Sequence, residues 1–149
     1  MPSPDYDIRM LNDLIEATLD SADGYAEAAK DSSRYAEMFA ARGFERRAAA
    51  TVLQEQVATL GGTSPDEGTL LAAAHRLFVN LRQTLGGGEV AVVDEVERGE
   101  DHIKAKFDDA MKDGDISPAT RAVICQVAGS VRAGHEAMRA LKHELHGDA

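Results

Sequence analysis

Apolar residues recur at alternating steps of three and four along four long stretches of the chain, which short turns join into two pairs. This spacing places apolar side chains on one face of an α-helix. A connection of nearly thirty residues, 61–88, separates the two pairs. Two antiparallel helical hairpins joined by so long a connection are typical of a bundle in which the chain crosses from one end to the other, because an up-down-up-down bundle needs only short turns.

The predicted helices lie between sequence signals that stop or start a helix. Gly61 is expected to end the second helix, because glycine takes the left-handed cap conformation at no steric cost. Ser64 followed by Pro65, and Ser117 followed by Pro118, are typical helix starts. The predicted long helices span residues 7–30, 34–60, 89–112 and 118–146, and a shorter helix spans residues 64–85.

These signals predict the fold class. It is all-α: a ferritin-like four-helix bundle made of two antiparallel helical hairpins, with a long crossover that contains the fifth, shorter helix. The chain has 149 residues, enough for one domain with a sizeable core, and the sequence contains neither a repeat nor an evident linker. We therefore expect a single domain over residues 1–149.

The net charge of the chain is −10, with 26 acidic and 16 basic residues. A field of this sign repels phosphate groups, which argues against nucleic acids and anionic membranes as partners. No stretch reaches the roughly 18 apolar residues of a membrane span, and no signal peptide is evident. The single cysteine, Cys125, lies in an apolar run and is predicted to be a core residue in a reducing compartment. The prediction is a soluble, cytoplasmic protein.

The segment "EVERGEDHIKAKF", residues 95–107, interrupts its own apolar stripe with carboxylates. Helical spacing places Glu100 on the core face and Glu97 on its flank. Counting along the helices at about 1.5 Å per residue puts Glu45 of the second helix and His135 of the last helix at a similar level. These four residues are therefore expected to converge near the middle of the bundle. The apolar stripe that fixes their orientation consists of Val93, Val96, Ile103 and Phe107.

This set of residues has two interpretations. The first is a metal site that holds a single iron, manganese or zinc ion with carboxylate and imidazole ligands. A complete di-iron centre is disfavoured, because it requires Glu-x-x-His pairs and Ala48 and Arg132 stand at the positions that would complete them. The second interpretation is a metal-free polar network in which arginine neutralises the buried carboxylates. The candidate network residues are Tyr25, Arg42, Gln56 and Arg132.

The order of four segments resembles a bacterial family of four-helix bundles. The segments are "LNDLIEATLDSADGYAEAA", the "LGG" that ends the second helix, "AAAHRLFVNLRQTL" and "VERGEDHIKAKFDDAM". The family is catalogued as domain of unknown function 2383 and is assigned to the ferritin-like superfamily. The resemblance runs from about Leu11 to Leu141. It implies a ferritin-like bundle and a link to stress response, and it implies no established activity.

The predicted function is that of a non-enzymatic cytoplasmic bundle, stress-associated by resemblance, that acts through self-association or an unknown protein partner. A homodimer is expected to bury apolar side chains that exceed the needs of one small core, such as Phe39, Phe44 and Val92. The alternative is a metal-binding or redox protein of the ferritin-like type with a degenerate carboxylate and histidine site. The corresponding cofactor prediction is either none or one metal ion.

Overall fold

A computed structural model describes residues 3–66 and 88–147, and every regular element in these ranges is an α-helix. The observed boundaries lie within three residues of the predicted ones. The predicted shorter helix over residues 64–85 falls largely outside the described residues. None of the helices in the described ranges is both long enough and apolar enough to cross a lipid bilayer. The helices are α1 (Pro4–Asp31), α2 (Ala36–Thr59), α3 (Glu89–Lys112) and α4 (Pro118–Leu145).

Local sequence signals set where several helices begin and end. Ser3 caps α1, where its Oγ accepts a hydrogen bond from the backbone N–H of Tyr6 at 3.2 Å. Ser117 caps α4 in the same way, with the N–H of Thr120 at 3.4 Å. A proline follows each of these caps, and its fixed φ suits the first turn of a helix. Gly61 follows α2 with a φ of +84°, which confirms the predicted stop at that position.

Each helix packs against two neighbours: α1 against α2 and α3, and α4 against α3 and α2. At one end of the bundle, Tyr6 near the start of α1 donates a hydrogen bond to Asp113 just after α3. At the opposite end, His146 just after α4 pairs with Asp94 near the start of α3. Neighbouring helices are therefore antiparallel, while α2 and α3 run parallel on a diagonal. This arrangement confirms the prediction of two antiparallel hairpins joined by a long connection.

Within the described residues two apolar clusters form the core, and a polar layer lies between them. The charged side chains of Arg46 and Glu100 occupy this layer and are only 2% and 1% exposed. Burial of a charge costs free energy unless the charge is paired, so these two side chains need partners within the core. The first cluster includes Leu11, Ile15, Leu53, Phe107 and Ile124. The second includes Tyr25, Phe39, Val93, Val96 and Met138.

The core face of α2 differs from the predicted face by one residue, or about 100° of rotation. The sequence pattern places Arg42 and Glu45 on the core face, and the structure shows that this is wrong. The outer face of α2 is rich in alanine and its inner face carries an arginine, so the distribution of apolar residues does not mark the buried side. The buried residues of α2 are Phe39, Gly43, Arg46, Ala49, Ala50, Leu53 and Val57.

Two further predictions about burial need correction. Phe39 and Val92, which were expected at a dimer surface, lie in the core with 0% and 3% exposure, whereas Phe44 is 77% exposed. Cys125, which was expected in the core, is exposed. It follows the fully buried Ile124, and one step along α4 turns the side chain away from the bundle axis.

Candidate functional site

The polar layer is a connected set of hydrogen bonds centred on the carboxylate of Glu100. Arg46 donates from Nη2 to Oε2 of Glu100 at 2.7 Å. Tyr25 donates from its hydroxyl to Oε1 of the same carboxylate, also at 2.7 Å. Arg46 donates from Nη1 to the hydroxyl of Ser21 at 2.7 Å, and its guanidinium lies 5.6 Å from the centre of the Tyr25 ring. Both oxygens of the buried carboxylate are therefore paired, and its charge is neutralised by an arginine from the diagonal helix.

Two glycines make room for this arrangement. A Cβ atom on Gly134 of α4 would clash with Nη2 of Arg46 and would approach Oε2 of Glu100 to 3.4 Å. A Cβ atom on Gly43 of α2 would lie 3.3 Å from Cβ of Tyr25, so this glycine lets α1 and α2 approach closely beside the layer. The guanidinium thus fills the space that a side chain on α4 would otherwise occupy.

Burial is the main cause that raises the pKa of the Tyr25 phenol above its ordinary value of 10, and the charge of Glu100 acts in the same direction. The neighbouring guanidinium of Arg46 opposes this shift without cancelling it. Tyr25 therefore keeps its proton throughout the neutral range and serves as a permanent hydrogen-bond donor to the carboxylate.

We expect the stability of the protein to fall as the pH rises above about 10, because unfolded Tyr25 releases a proton there that the folded protein retains. One such proton contributes a slope of up to about 1.4 kcal/mol per pH unit. Urea unfolding between pH 9 and 11 should show a shallower alkaline decline for Tyr25→Phe than for the wild type, with Tyr35→Phe as the matched variant. Reversible titration of Tyr25 near pH 10 in the folded state would contradict this expectation.

A second group of polar side chains lies beside the layer, at the seam between α3 and α4. It consists of Glu97, Asp101 and His135, and we call it the seam cluster. One potential ligand atom from each residue lies within 4.8 Å of the other two. Nε2 of His135 is 2.6 Å from Oδ1 of Asp101, and Lys142 donates to Oε2 of Glu97 at 3.3 Å. Nδ1 of His135 is buried and has no hydrogen-bond partner within the described part of the chain.

The structure brings only some of the predicted site residues together. Glu100 and Tyr25 meet in the polar layer, while Glu97 and His135 meet in the adjacent seam cluster. Glu45 does not join either group, because its half-exposed side chain pairs with Arg42 on the surface of α2 at 2.9 Å.

Two further predicted network residues lie outside the layer. Arg132 is on the surface, with its side chain 60% exposed and Nη2 lying 3.8 Å from Asp108. Gln56 donates to the hydroxyl of Thr120 at 3.2 Å, near the opposite end of α2 from the α1–α2 turn. The arginine beside Glu100 is Arg46, whereas Arg42 and Arg132 lie outside the layer.

A ferritin-like di-metal centre does not fit this layer. Such a centre requires carboxylates from all four helices and two Glu-x-x-His pairs. The sequence contains no Glu-x-x-His pair, and the carboxylate of Glu45 faces solvent. The cationic group of Arg46 occupies the position beside Glu100 where a metal would need anionic ligands.

Sequence reasoning missed Arg46 and Asp101. No local signal marks Arg46 as buried, since Arg47 has the same small neighbours, Gly43 and Ala50, and its side chain is 55% exposed. Asp101 lies four residues after Glu97, which is the spacing that places two carboxylates on one helical face.

Comparison with protein-family models gives a match to the N-terminal two thirds of the chain. A family model described as Domain of unknown function (DUF2383) matches residues 7–113 of the chain. No curated protein matches the chain, and no solved structure does. The matched range contains Tyr25, Arg46 and Glu100, whereas Gly134 and His135 lie beyond its end.

Proposed function

The chain belongs to the family of domain of unknown function 2383, and from this premise we propose that it is a non-enzymatic helical bundle that acts by association through the outer face of α2. The observation that carries this proposal is Phe44, which is 77% exposed in the middle of that face. Three other residues of the face, Ala40, Ala41 and Ala48, are small and also exposed. We call these four residues the α2 surface. With the alanines at i−4, i−3 and i+4, Phe44 forms a contiguous exposed apolar patch centred on an aromatic side chain, a feature of binding surfaces.

The polar layer supports a non-enzymatic role. Both oxygens of Glu100 are already bonded, and Arg46 neutralises its charge inside the core. A carboxylate held in this way is charge-neutralised and is shielded from solvent, since Glu100 is only 1% exposed. The layer instead resembles buried ion pairs that fix how helices align in a bundle.

A cytoplasmic location and a stress-associated role form part of the proposal. The exposed, unpaired thiol of Cys125 supports the first, because a lone free cysteine persists most readily in a reducing compartment. The resemblance to the family supports the second.

Site-specific photo-crosslinking tests the proposal. A benzophenone amino acid replaces Phe44 in cells that express the protein, and the same probe replaces the exposed Ala133 on α4 as the control. We expect defined covalent adducts from position 44 and none from position 133. Equal labelling from both positions, or adducts that join position 44 only to residues 67–87 of the same chain, would contradict association through the α2 surface.

The seam cluster favours a second candidate function, the binding of one divalent metal ion. Its three residues offer two carboxylates and one imidazole, a set that suits zinc, manganese or iron. Glu97 and His135 are largely buried, so their positions are restrained by the packing of α3 on α4. Ligands at about 2.0–2.2 Å from an ion lie roughly 3.5 Å apart. The pair His135–Asp101, now at 2.6 Å, would therefore widen slightly, and atoms up to 4.8 Å apart would move slightly closer.

Metal binding would require two local changes. The hydrogen bond between His135 and Asp101 would open to admit the ion. The ammonium group of Lys142 would also have to move away from Glu97, and its side chain, which is 39% exposed, can turn into solvent. Both changes involve side chains at the seam and leave the polar layer intact.

Metal analysis tests the second candidate. Protein purified without a histidine tag is dialysed against Zn²⁺, Mn²⁺ or anaerobic Fe²⁺, and bound metal is measured by mass spectrometry. We expect about one equivalent in the wild type and at least tenfold weaker binding in Asp101→Asn and in His135→Gln. Asp109→Asn removes an exposed carboxylate from the same helix and should bind like the wild type. A wild type that stays empty, or equal binding by all variants, would eliminate this candidate.

A further inference from the structure

Two buried carboxylates of α3 are neutralised by cations of different kinds. Glu100 in the polar layer pairs with Arg46, whose side chain is 2% exposed and also bonds to Ser21. Glu97 in the seam cluster pairs with Lys142, whose side chain is 39% exposed. Within the described residues Lys142 bonds to Glu97 alone, at 3.3 Å, which is slightly longer than the usual hydrogen bond. The first cation is therefore held inside the core, whereas the second can leave.

The chemistry of the ammonium group favours its release from Glu97. An ammonium group is a compact, strongly hydrated charge on a flexible stem, whereas a guanidinium binds a carboxylate through a rigid fork. Lys142 therefore regains its hydration when it turns into solvent. Glu97 is 8% exposed, so its carboxylate needs another cation once the ammonium group has left.

The seam cluster supplies ligands for that second cation. Asp101 and His135 lie beside Glu97, and one potential ligand atom from each of the three lies within 4.8 Å of the others. A divalent ion would neutralise both carboxylates, and carboxylate oxygen and imidazole nitrogen are both ligands of zinc in proteins. The side chain of Asp101 is 59% exposed, so an ion can reach the cluster from solvent.

The ion and the ammonium group compete for the same carboxylate. Lys142 lies two helical turns after His135, so both side chains project from the same side of α4. An ion bound to Glu97 at about 2.0–2.2 Å would lie within roughly 6 Å of an ammonium group on that carboxylate. Solvent weakens the repulsion between the two positive charges only in part, because Glu97 and His135 are buried. Binding of one cation therefore favours release of the other.

We propose that the seam cluster is a cation-exchange site, in which the ammonium group of Lys142 is the resident counter-ion and a divalent metal ion displaces it into solvent. The inference rests on the second candidate function, the binding of one metal ion, and adds what controls it. Lys142 lowers the affinity of the cluster for the metal, and the metal in turn exposes Lys142. Loss of the positive charge at position 142 is expected to tighten metal binding about tenfold, as befits a charge in a partly exposed site.

Titration of Zn²⁺ into the full chain, in competition with a chelating dye, measures the Kd of each variant. Lys142→Met keeps an apolar side chain of similar reach and should bind about tenfold more tightly than the wild type, whereas Lys142→Arg keeps the charge and should not. Lys112→Met is the matched control, because it removes a lysine that lies about 16 Å from Asp101 along α3, and it should bind like the wild type. Circular dichroism checks that each variant keeps its helical content.

Chemical labelling follows the displaced side chain in the unaltered protein. Acetic anhydride acylates lysine amines in solvent, and mass spectrometry of the peptides gives the rate at each lysine. Saturating Zn²⁺ should raise the rate at Lys142 about two- to fivefold, the change expected when an ion pair of this exposure is broken. The rate at Lys112 should stay the same. An unchanged rate at Lys142 in the zinc-bound protein would overturn the exchange.

The outcomes separate this inference from the candidate function on which it rests. If the wild type and Lys142→Met bind Zn²⁺ equally well, the metal site stands and the exchange is overturned. If neither binds Zn²⁺, both fall. If only Lys142→Met binds Zn²⁺, the ammonium group is a permanent occupant that the ion does not displace, and the exchange is again overturned.

Discussion

Replacement of Arg46 with leucine is expected to lower the free energy of unfolding by about 3–5 kcal/mol, because it leaves a buried carboxylate without its counter-charge. Glu100 is 1% exposed, so water cannot take over the role of the guanidinium without opening the core. The hydroxyl of Tyr25 would remain as a partner on one oxygen only. Urea unfolding at pH 7, followed by circular dichroism, measures the loss.

The double variant Arg46→Leu, Glu100→Met separates the ion pair from packing. It removes both charges and keeps most of the side-chain volume, so its stability should lie much closer to that of the wild type. Arg46→Lys should be intermediate, since an ammonium group does not reach Glu100 and Ser21 with the fixed fork of a guanidinium. If the double variant were as unstable as Arg46→Leu alone, the pairing of charge would not be what stabilises the layer.

The sequence predicts most of the fold because three of the four helices carry an unambiguous apolar stripe. In α3, Val93, Val96, Ile103 and Phe107 are all at most 6% exposed, and the helix boundaries coincide with the predicted ones. In α2 the apolar stripe is ambiguous, because alanine is abundant on both faces of the helix. In addition, the buried residue Arg46 has the sequence character of a surface residue. A pattern of hydrophobicity alone does not assign this helix, because Arg46 on its core face resembles a surface residue and Phe44 on its outer face resembles a core residue.

The candidate site was predictable only in part for the same reason. The inward position of Glu100 follows from the apolar stripe of α3. The identity of its partner depends on how α2 is rotated about its own axis. Once α2 is rotated by one residue, Arg42 and Glu45 move to the surface and Arg46 moves into the layer. The seam cluster depends in addition on the axial offset between α3 and α4, which sets Asp101 beside His135.

The presence of an arginine in the layer explains how a bundle with inward carboxylates can hold together without an ion. In a metal site, cation and ligands separate when the metal is lost, whereas here the cation is covalently part of α2. The pairing Arg46–Glu100 links two parallel helices on the bundle diagonal, and Tyr25 extends it to α1. The main-chain carbonyl of Val131 on α4 lies 3.4 Å from Nη2 of Arg46, so the layer involves all four helices.

Gly134→Ala is expected to destabilise the protein by about 1–3 kcal/mol, since the new methyl group would overlap the guanidinium of Arg46. This result opposes the usual trend, because alanine in place of glycine inside a helix commonly adds up to about 1 kcal/mol. Gly129 lies on the same helix, and a Cβ there would meet nothing within 4 Å. Gly129→Ala should therefore raise the stability and serves as the matched control, with both variants measured by urea unfolding.

Combination with Arg46→Leu shows whether the cost of Gly134→Ala comes from the guanidinium. Leucine is shorter than arginine and does not extend to Nη2, so the added methyl group should cost little in that background, and it could partly fill the vacated space. We expect the two substitutions to be strongly non-additive, with a coupling of about 0.5–3 kcal/mol, as is found for residues in direct contact. Gly129→Ala should be additive with Arg46→Leu. Additivity at Gly134 as well would mean that α4 is displaced by the methyl group independently of Arg46, and that the close approach of α4 to the polar layer is not set by the ion pair.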